Sequence, residues 1–323
     1  MSGEGDFIAL MRGLASHPAA RGLMDDAAVL DLDGRSLVLT HDMIVEGVHY
    51  RPNDPAGDVA WKLVAINMSD LAAKGALPLG VLLGFSLTGA SEWEREFATG
   101  LGEALAGFSV PLLGGDTVAM PPGAPRALGL TAIGSAPVGG VPSRAGAKPG
   151  DLIYVSGTIG DAGAGLSMLE RGHSDLETDE ALIAAYRRPA PNLALGRALA
   201  PFVTAMADIS DGLLIDAARI AKASGSTVHI DLDRVPLSAA FVARCGDSRE
   251  SRLSAVTAGD DYRLLFSADP SRTADIAGAA ARCGVTLTAV GRCAAGEGLT
   301  LFDAGQKLPL PARLGYEHRG DLA

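Results

Sequence analysis

Apolar positions along the chain fall into two rhythms. Short runs rich in apolar and β-branched residues, bounded by glycine or proline, predict strands at Ser36–Thr40, Val81–Leu87 and Ala127–Ile133. Two stretches between them carry helical spacing instead. In Asp58–Lys74, Val59, Leu63, Ile66 and Leu71 form a buried side, while Asn67, Asp70 and Lys74 fall at i, i+3 and i+7 on another. In Glu94–Ala106, Phe97, Leu101 and Leu105 recur every four residues. Strands and helices thus interleave in the first part of the chain. The stretch Pro137–Gly150, made of Pro, Gly and small residues, reads as a connection. Beyond it the pattern predicts a strand Leu152–Val155, a helix from about Asp161 to Glu170, and a polar segment around Arg171–Glu180. Next come MADIS leading into the helix DGLLIDAARIAKAS, a strand TVHIDL, the run RLLFSA, and closing strands near Thr286–Val290 and Leu299–Phe302. There is no internal repeat. The expectation is an α/β (α+β) chain in two units, residues 1–138 and 149–323, joined by a linker at 139–148.

Composition narrows the class. Hydrophobic residues make up 48% of the 323 and charged ones 20%, which is globular rather than disordered. The 41 glycines follow no three-residue period, so collagen is excluded. With 27 Lys and Arg against 38 Asp and Glu, the net charge is −11, which disfavours non-specific nucleic-acid binding and a polybasic membrane patch. The longest uncharged stretches, Gly75–Ser91 and Ala127–Ser143, are broken by Gly and Pro and fall short of the ~20 apolar residues of a spanning helix. Cys245, Cys283 and Cys293 form no CxxC pair, and the first residues are acidic where a secretory signal is basic. A cytoplasmic protein with reduced thiols is expected, with no nucleic-acid or membrane partner.

The candidate chemistry lies in the aspartates. Asp25 and Asp26 precede an apolar run, Asp42 ends a predicted strand, and Asp116 follows two glycines in Leu113–Thr117. Asp208 and Asp211 join a strand-like piece to a helix, and Asp260 and Asp261 precede RLLF. Any one alone reads as a turn or a helix cap. Asp70 does not, because it sits mid-helix among apolar neighbours, where Asp is a poor former without a capping role. If Asp26, Asp42, Asp70, Asp116 and Asp208 converge, each pair ~4 Å apart repels by roughly 4 kcal/mol at an effective dielectric of 20. Hard divalent cations resolve that conflict, and Mg²⁺ favours a few carboxylates plus phosphate oxygens. Polyphosphate chemistry follows, yet no Walker A sequence and no HRD or DFG set is present. Arg144 and Lys148, in the glycine-rich connection, are cations that read equally as phosphate ligands or exposed linker charges.

Eight ordered blocks, MDDAAVL, THDMIVEGVHY, NMSDLAAKGALP, GGDT, SGTIGDAGAGL, DISDGLLID, AGDDYRLLF and GYEH, give the chain a resemblance. It resembles the thiamine-monophosphate kinase family, of the superfamily typified by aminoimidazole ribonucleotide synthetase. The resemblance implies ATP-dependent phosphorylation of thiamine monophosphate to thiamine diphosphate, the last step of thiamine diphosphate biosynthesis. It also implies a two-domain fold in a homodimer, the N-terminal sheets pairing into a barrel across the dimer, with ATP and several Mg²⁺ ions between the domains. Carried over by position, Asp26, Asp42, Asp70, Asp116 and Asp208 look like metal ligands, with Thr40, His41 and Asp211 as further metal contacts. Gly115, Arg144 and Ser210 fall at nucleotide contacts, and His49, Asp260 and Tyr316 at thiamine-phosphate contacts.

Three departures stand out. The first block keeps both acids but has Met24 where the family has glycine; His41 replaces a threonine, leaving its carbonyl oxygen for a metal; and Asp260 and Arg263 replace a longer and an acidic residue. No general base is expected. A phosphate monoester with a second pKa of about 6 is already a dianionic nucleophile at neutral pH. Two alternatives stay open: an enzyme of the same superfamily with another small acceptor, and a non-catalytic Mg-nucleotide-binding regulator.

Overall fold

The structure is a computed structural model that describes residues 4–172 and 177–317. His318, the last residue of the GYEH block, and part of the polar segment around Arg171–Glu180 lie outside the described residues.

The N-terminal part runs α1 (Glu4–Arg12), β1 (Ala28–Leu32), β2 (Arg35–Val45), α2 (Ala56–Ala73), β3 (Leu77–Leu87), α3 (Ser91–Gly107), β4 (Leu112–Ala119) and β5 (Ala127–Ser135). Its five strands are ordered β1-β2-β5-β3-β4, antiparallel except for the β3–β4 pair, which α3 connects. β2 does not end at Thr40. It continues to Val45 because His41, Asp42, Met43 and Ile44 each pair with β5. Along it Val38, Thr40 and Ile44 are buried while His41 and Met43 are exposed, the period-two alternation of a sheet covered on one face. The covered face packs on α2. β4, read only as the end of an apolar run, is an edge strand exposed along its whole length, and Met43, Leu79, Leu82, Leu112, Leu113 and Val118 remain open.

Beyond residue 135 no helix or strand occurs until β6 (Leu152–Ser156). There follow α4 (Asp161–Arg171), α5 (Glu177–Arg187), α6 (Leu193–Leu199), β7 (Ala205–Ile209), α7 (Leu213–Ser224) and β8 (Thr227–Asp231). The chain ends with α8 (Ala239–Cys245), α9 (Arg249–Thr257), β9 (Arg263–Ala268), α10 (Thr273–Cys283), β10 (Leu287–Ala294), β11 (Gly298–Asp303) and β12 (Gln306–Leu308). Seven strands form one sheet, β12-β11-β8-β10-β6-β9-β7.

α2 joins the two halves. It packs on β2 and β5 on one side and on α6, β7 and β9 on the other. A helix covered all round must be apolar all round, and Val59, Leu63, Val64, Met68, Leu71 and Ala72 are each at most 2% exposed. β7, an edge strand by sheet order, is closed off by this helix, and all five of its residues are buried. The approach of α6 to α2 is set by Gly196, where a Cβ would stand 1.9 Å from the Ala72 carbonyl oxygen. Gly196→Ala is therefore expected to lower stability by about 2 kcal/mol, from displaced backbone rather than lost contacts. Urea unfolding of the two proteins measures it, and an unchanged midpoint would contradict this close approach.

Candidate functional site

Polar residues on a buried helix need partners, and those of α2 find them in both halves. Asn67 accepts the Asp42 backbone N–H at 3.2 Å and so holds β2. Ser69 donates its hydroxyl to Asp208 at the end of β7, 2.7 Å away. Asp70 accepts from the Thr40 hydroxyl of β2. Just past the helix, Lys74 is fully buried; its ammonium lies 2.5 Å from Asp25, 2.6 Å from Asp26 and 3.1 Å from the Met206 carbonyl oxygen. Arg144 of the connecting segment pairs with Asp26 as well, and Arg21 pairs with Asp25 at 2.7 Å.

Asp26, Asp70 and Asp208 converge here, each offering an oxygen within 4.8 Å of the others. Asp42 adjoins them. Burial, then Asp211 and Asp26, push its carboxyl up to about 6. Asp208 is pushed to about 8, by burial first and then by Asp26 and Asp216. Burial likewise raises Asp70, reinforced by Asp42, Asp208 and Asp26, against the Thr40 hydrogen bond. Asp25 goes the other way: burial opposes ionisation, but the Lys74 ammonium outweighs it and holds the carboxyl at about 2. Both Asp26 carboxylate oxygens are buried, Oδ2 against the Lys74 ammonium and Oδ1 against the Arg144 guanidinium, which leaves Asp42, Asp70 and Asp208 as the carboxylates in excess. Hard oxygen donors and excess negative charge together suit a divalent cation such as Mg²⁺.

The strand end that carries Asp208 continues into a cavity of about 830 Å³ whose wall includes Ser210 and Asp211. Asp216, buried in the first turn of α7, accepts the Ser210 and Asp211 backbone N–H groups at 3.1 and 3.2 Å, and Arg219 ties Asp216 to Asp211. Gly212 makes the sharp entry to that helix at φ +128. Three backbone bonds then lay the rest of the wall on this segment: Asp260 N–H to Ser210, Tyr262 N–H to Ile209, and Tyr316 N–H to Asp211. Asp260 and Tyr262 both adopt positive φ, 71 and 48. His49, Asp260 and Tyr316 line the cavity together, as do Arg51, Tyr186, Tyr262 and Arg313, which the sequence analysis does not single out. A volume of this size suits a small-molecule ligand.

Four sequence-derived residues stand apart. His41 directs its ring to the Thr131 hydroxyl, 2.9 Å away, on the face of β2 opposite Thr40 and Asp42. Asp116 and Gly115 lie on exposed β4, and β5 and β3 separate β4 from β2. Three strand spacings amount to about 14 Å, too far for Asp116 to share an ion with Asp42 of its own chain. Arg263 is not part of the cavity wall; its side chain packs against Gly157 and its charge favours the ionised form of buried Asp261. Lys62, Lys74 and Asp216 hold the site's residues in place, although the sequence pattern gives none of them a role. Their one signal is a charge on a helix side otherwise given to packing.

The AIR synthase related protein family matches the chain with its N-terminal domain over residues 24–136 and its C-terminal domain over 148–304. The thiamine-monophosphate kinase of Caulobacter vibrioides is 42% identical, covering 98% of this chain and 90% of that protein. Among solved structures, AaThiL complexed with AMPPCP and TMP superposes with a TM-score of 0.85 at 28% identity, covering 98% of this chain and 97% of its own. Thiamine-monophosphate kinase from Stenotrophomonas maltophilia gives 0.78 at 35% identity, with coverage of 94% and 96%.

A carboxyl whose folded pKa is raised stabilises the fold below its ordinary value of 3.8, and that contribution disappears as pH rises through the folded value, about 6 for Asp42 and about 8 for Asp208. Metal-free protein is therefore expected to lose thermal stability steadily from about pH 5 to about pH 8. Added Mg²⁺ should restore more at the upper end, because binding requires the deprotonated carboxylates. Melting scans with chelator and with Mg²⁺ across this range test it; a Mg²⁺ shift that shrinks as pH rises would contradict the cluster's role.

Proposed function

Because the chain belongs to the thiamine-monophosphate kinase family, we propose that it transfers the γ-phosphoryl group of ATP to thiamine monophosphate, giving ADP and thiamine diphosphate. The observation that carries this reading is that an acidic, cation-demanding cluster and a cavity sized for a heteroaromatic phosphate are joined by one chain segment, Asp208 belonging to the first and Ser210 and Asp211 to the wall of the second. Asp26, Asp70 and Asp208, with Asp42 beside them, would hold Mg²⁺, which when bound supplies the positive charge that lets two polyanions approach. Arg144 offers a guanidinium at the same place, kept protonated against burial by Asp26, Asp216 and Asp208. In the cavity, His49, Arg51 and Arg313 are placed for the acceptor phosphate, and Tyr186 and Tyr316 for its flat, cationic rings. The residues position and neutralise; the acceptor phosphate, dianionic above about pH 6, needs no base to attack. Free cysteines and reduced-compartment chemistry support a cytoplasmic location, and no helix among the described residues is long and apolar enough to cross a membrane.

The working form is a homodimer. The open sheet face with its leucines and the bare β4 edge support pairing with a second copy. In a two-fold arrangement, β4 of one copy meets the β1–β2 side of the other, and Asp116 then serves the partner's cluster rather than its own.

ADP release measured with and without thiamine monophosphate tests the reading: release that depends on the acceptor is expected. ADP release that is the same without it, or none at all, speaks for a different acceptor or for a regulator. Asp42→Asn and Asp116→Asn are each expected to lose turnover while keeping a native melting curve. Remixing equal amounts of the two variants should regain about a quarter of wild-type turnover, since about half of the dimers are then mixed and one of the two sites in each is intact. No recovery on remixing removes the shared-site arrangement.

A further inference from the structure

Behind the cavity wall lies a strongly placed charge that the reaction, as described, does not use. Lys62 projects from the second turn of α2 and is 3% exposed. Its ammonium donates to Asp260 Oδ2 at 2.9 Å and to the His49 carbonyl oxygen at 3.2 Å, and stands 3.9 Å above the Tyr186 ring. His49 belongs to the N-terminal part, whereas Asp260 and Tyr186 belong to the C-terminal part. Their three segments meet at this one nitrogen, and all three residues line the cavity. From the other side the Tyr262 hydroxyl donates to Asp260 Oδ1 at 3.0 Å. Each Asp260 oxygen thus has one fixed donor and one lone pair still available.

We propose that Lys62 is the positioning residue of the acceptor pocket. Resting on the thiamine-monophosphate reading above, it clamps Asp260 so that its remaining lone pairs face the amine-bearing, cationic end of the acceptor. The short Asp260 side chain could otherwise turn among several rotamers, and ordering it only on binding would weaken the acceptor's hold. Nothing in this contact touches the cluster where the nucleotide is expected, so the two substrates should respond differently to its loss.

The test is steady-state kinetics for both substrates with Lys62→Met, Lys62→Arg, Asp260→Asn and the double variant Lys62→Met/Asp260→Asn, alongside thermal melts. Lys62→Met is expected to raise the KM for thiamine monophosphate about tenfold, as losing a charge-assisted hydrogen bond does, with the KM for ATP little changed. The double variant should be scarcely worse than the worse single one, because the residues act as a unit, and Lys62→Arg should recover part of the affinity. Equal rises in both KM values, additive losses, or an arginine variant as poor as methionine would overturn the proposal. Should Lys62→Met not fold, the arginine variant alone and combined with Asp260→Asn decides on the same coupling. Wild-type protein without acceptor-dependent ADP release would defeat the kinase reading itself; normal wild-type turnover with an unmoved acceptor KM defeats only the role of Lys62.

Discussion

The buried ion pair network of Lys74 with Asp25 and Asp26 is the constraint on which the rest of the structure turns. A fully buried ammonium is tolerable only with matched charge and satisfied donors, and its third contact, the Met206 carbonyl oxygen, lies in the other half of the chain. The lysine therefore fixes three things together: the approach to β1, the end of α2 and the buried edge strand β7. It also sets an electrostatic balance. Lys74 and Arg144 compensate Asp25 and Asp26, and Asp42, Asp70 and Asp208 are left crowded without a cation of their own. Burial first, and then repulsion from neighbouring aspartates, raises the pKa of all three.

α2 makes this arrangement possible because it is shared. An ordinary amphipathic helix would turn its polar side to water; here that side meets the second half of the chain. Asn67 and Asp70 reach β2, Ser69 reaches β7 and Lys62 reaches Asp260, and a single rigid rod sets their spacing. The cluster and the cavity are consequently kept in register by a helix rather than by loops, which suits chemistry that depends on position.

Much of this was legible from residue pattern. The helical spacing of Val59, Leu63, Ile66 and Leu71 located α2, and the misfit of Asp70 within it marked the cluster. Asp26, Asp70 and Asp208 do come together, and His49, Asp260 and Tyr316, singled out by the family resemblance rather than by pattern, line one cavity. Other features depend on contacts that no local pattern encodes. β2 extends through Asp42 because β5 pairs with it, a partner roughly ninety positions away. The placement of Asp116 on a distant edge strand follows from strand order, which periodicity does not specify. Lys62 and Lys74 look like ordinary surface lysines until the second half of the chain covers them. The short helices α8 and α9 and the alanine-rich α10 each carry only one or two large apolar residues, and the residue pattern does not mark them.

The backbone of Asp260 and Tyr262 has a bearing on how the cavity evolves. Both hold left-handed torsions that ordinary residues adopt only against a penalty of about 1–3 kcal/mol, and the surrounding hydrogen bonds supply it during folding. The wall is thus rigid before any ligand arrives. Rigidity of this kind narrows mutational drift: an isolated exchange in this tripeptide disturbs the torsions as well as the side chain, so new ligand preferences should arise more readily at Arg51, Tyr186 or Arg313, whose backbone carries no such strain.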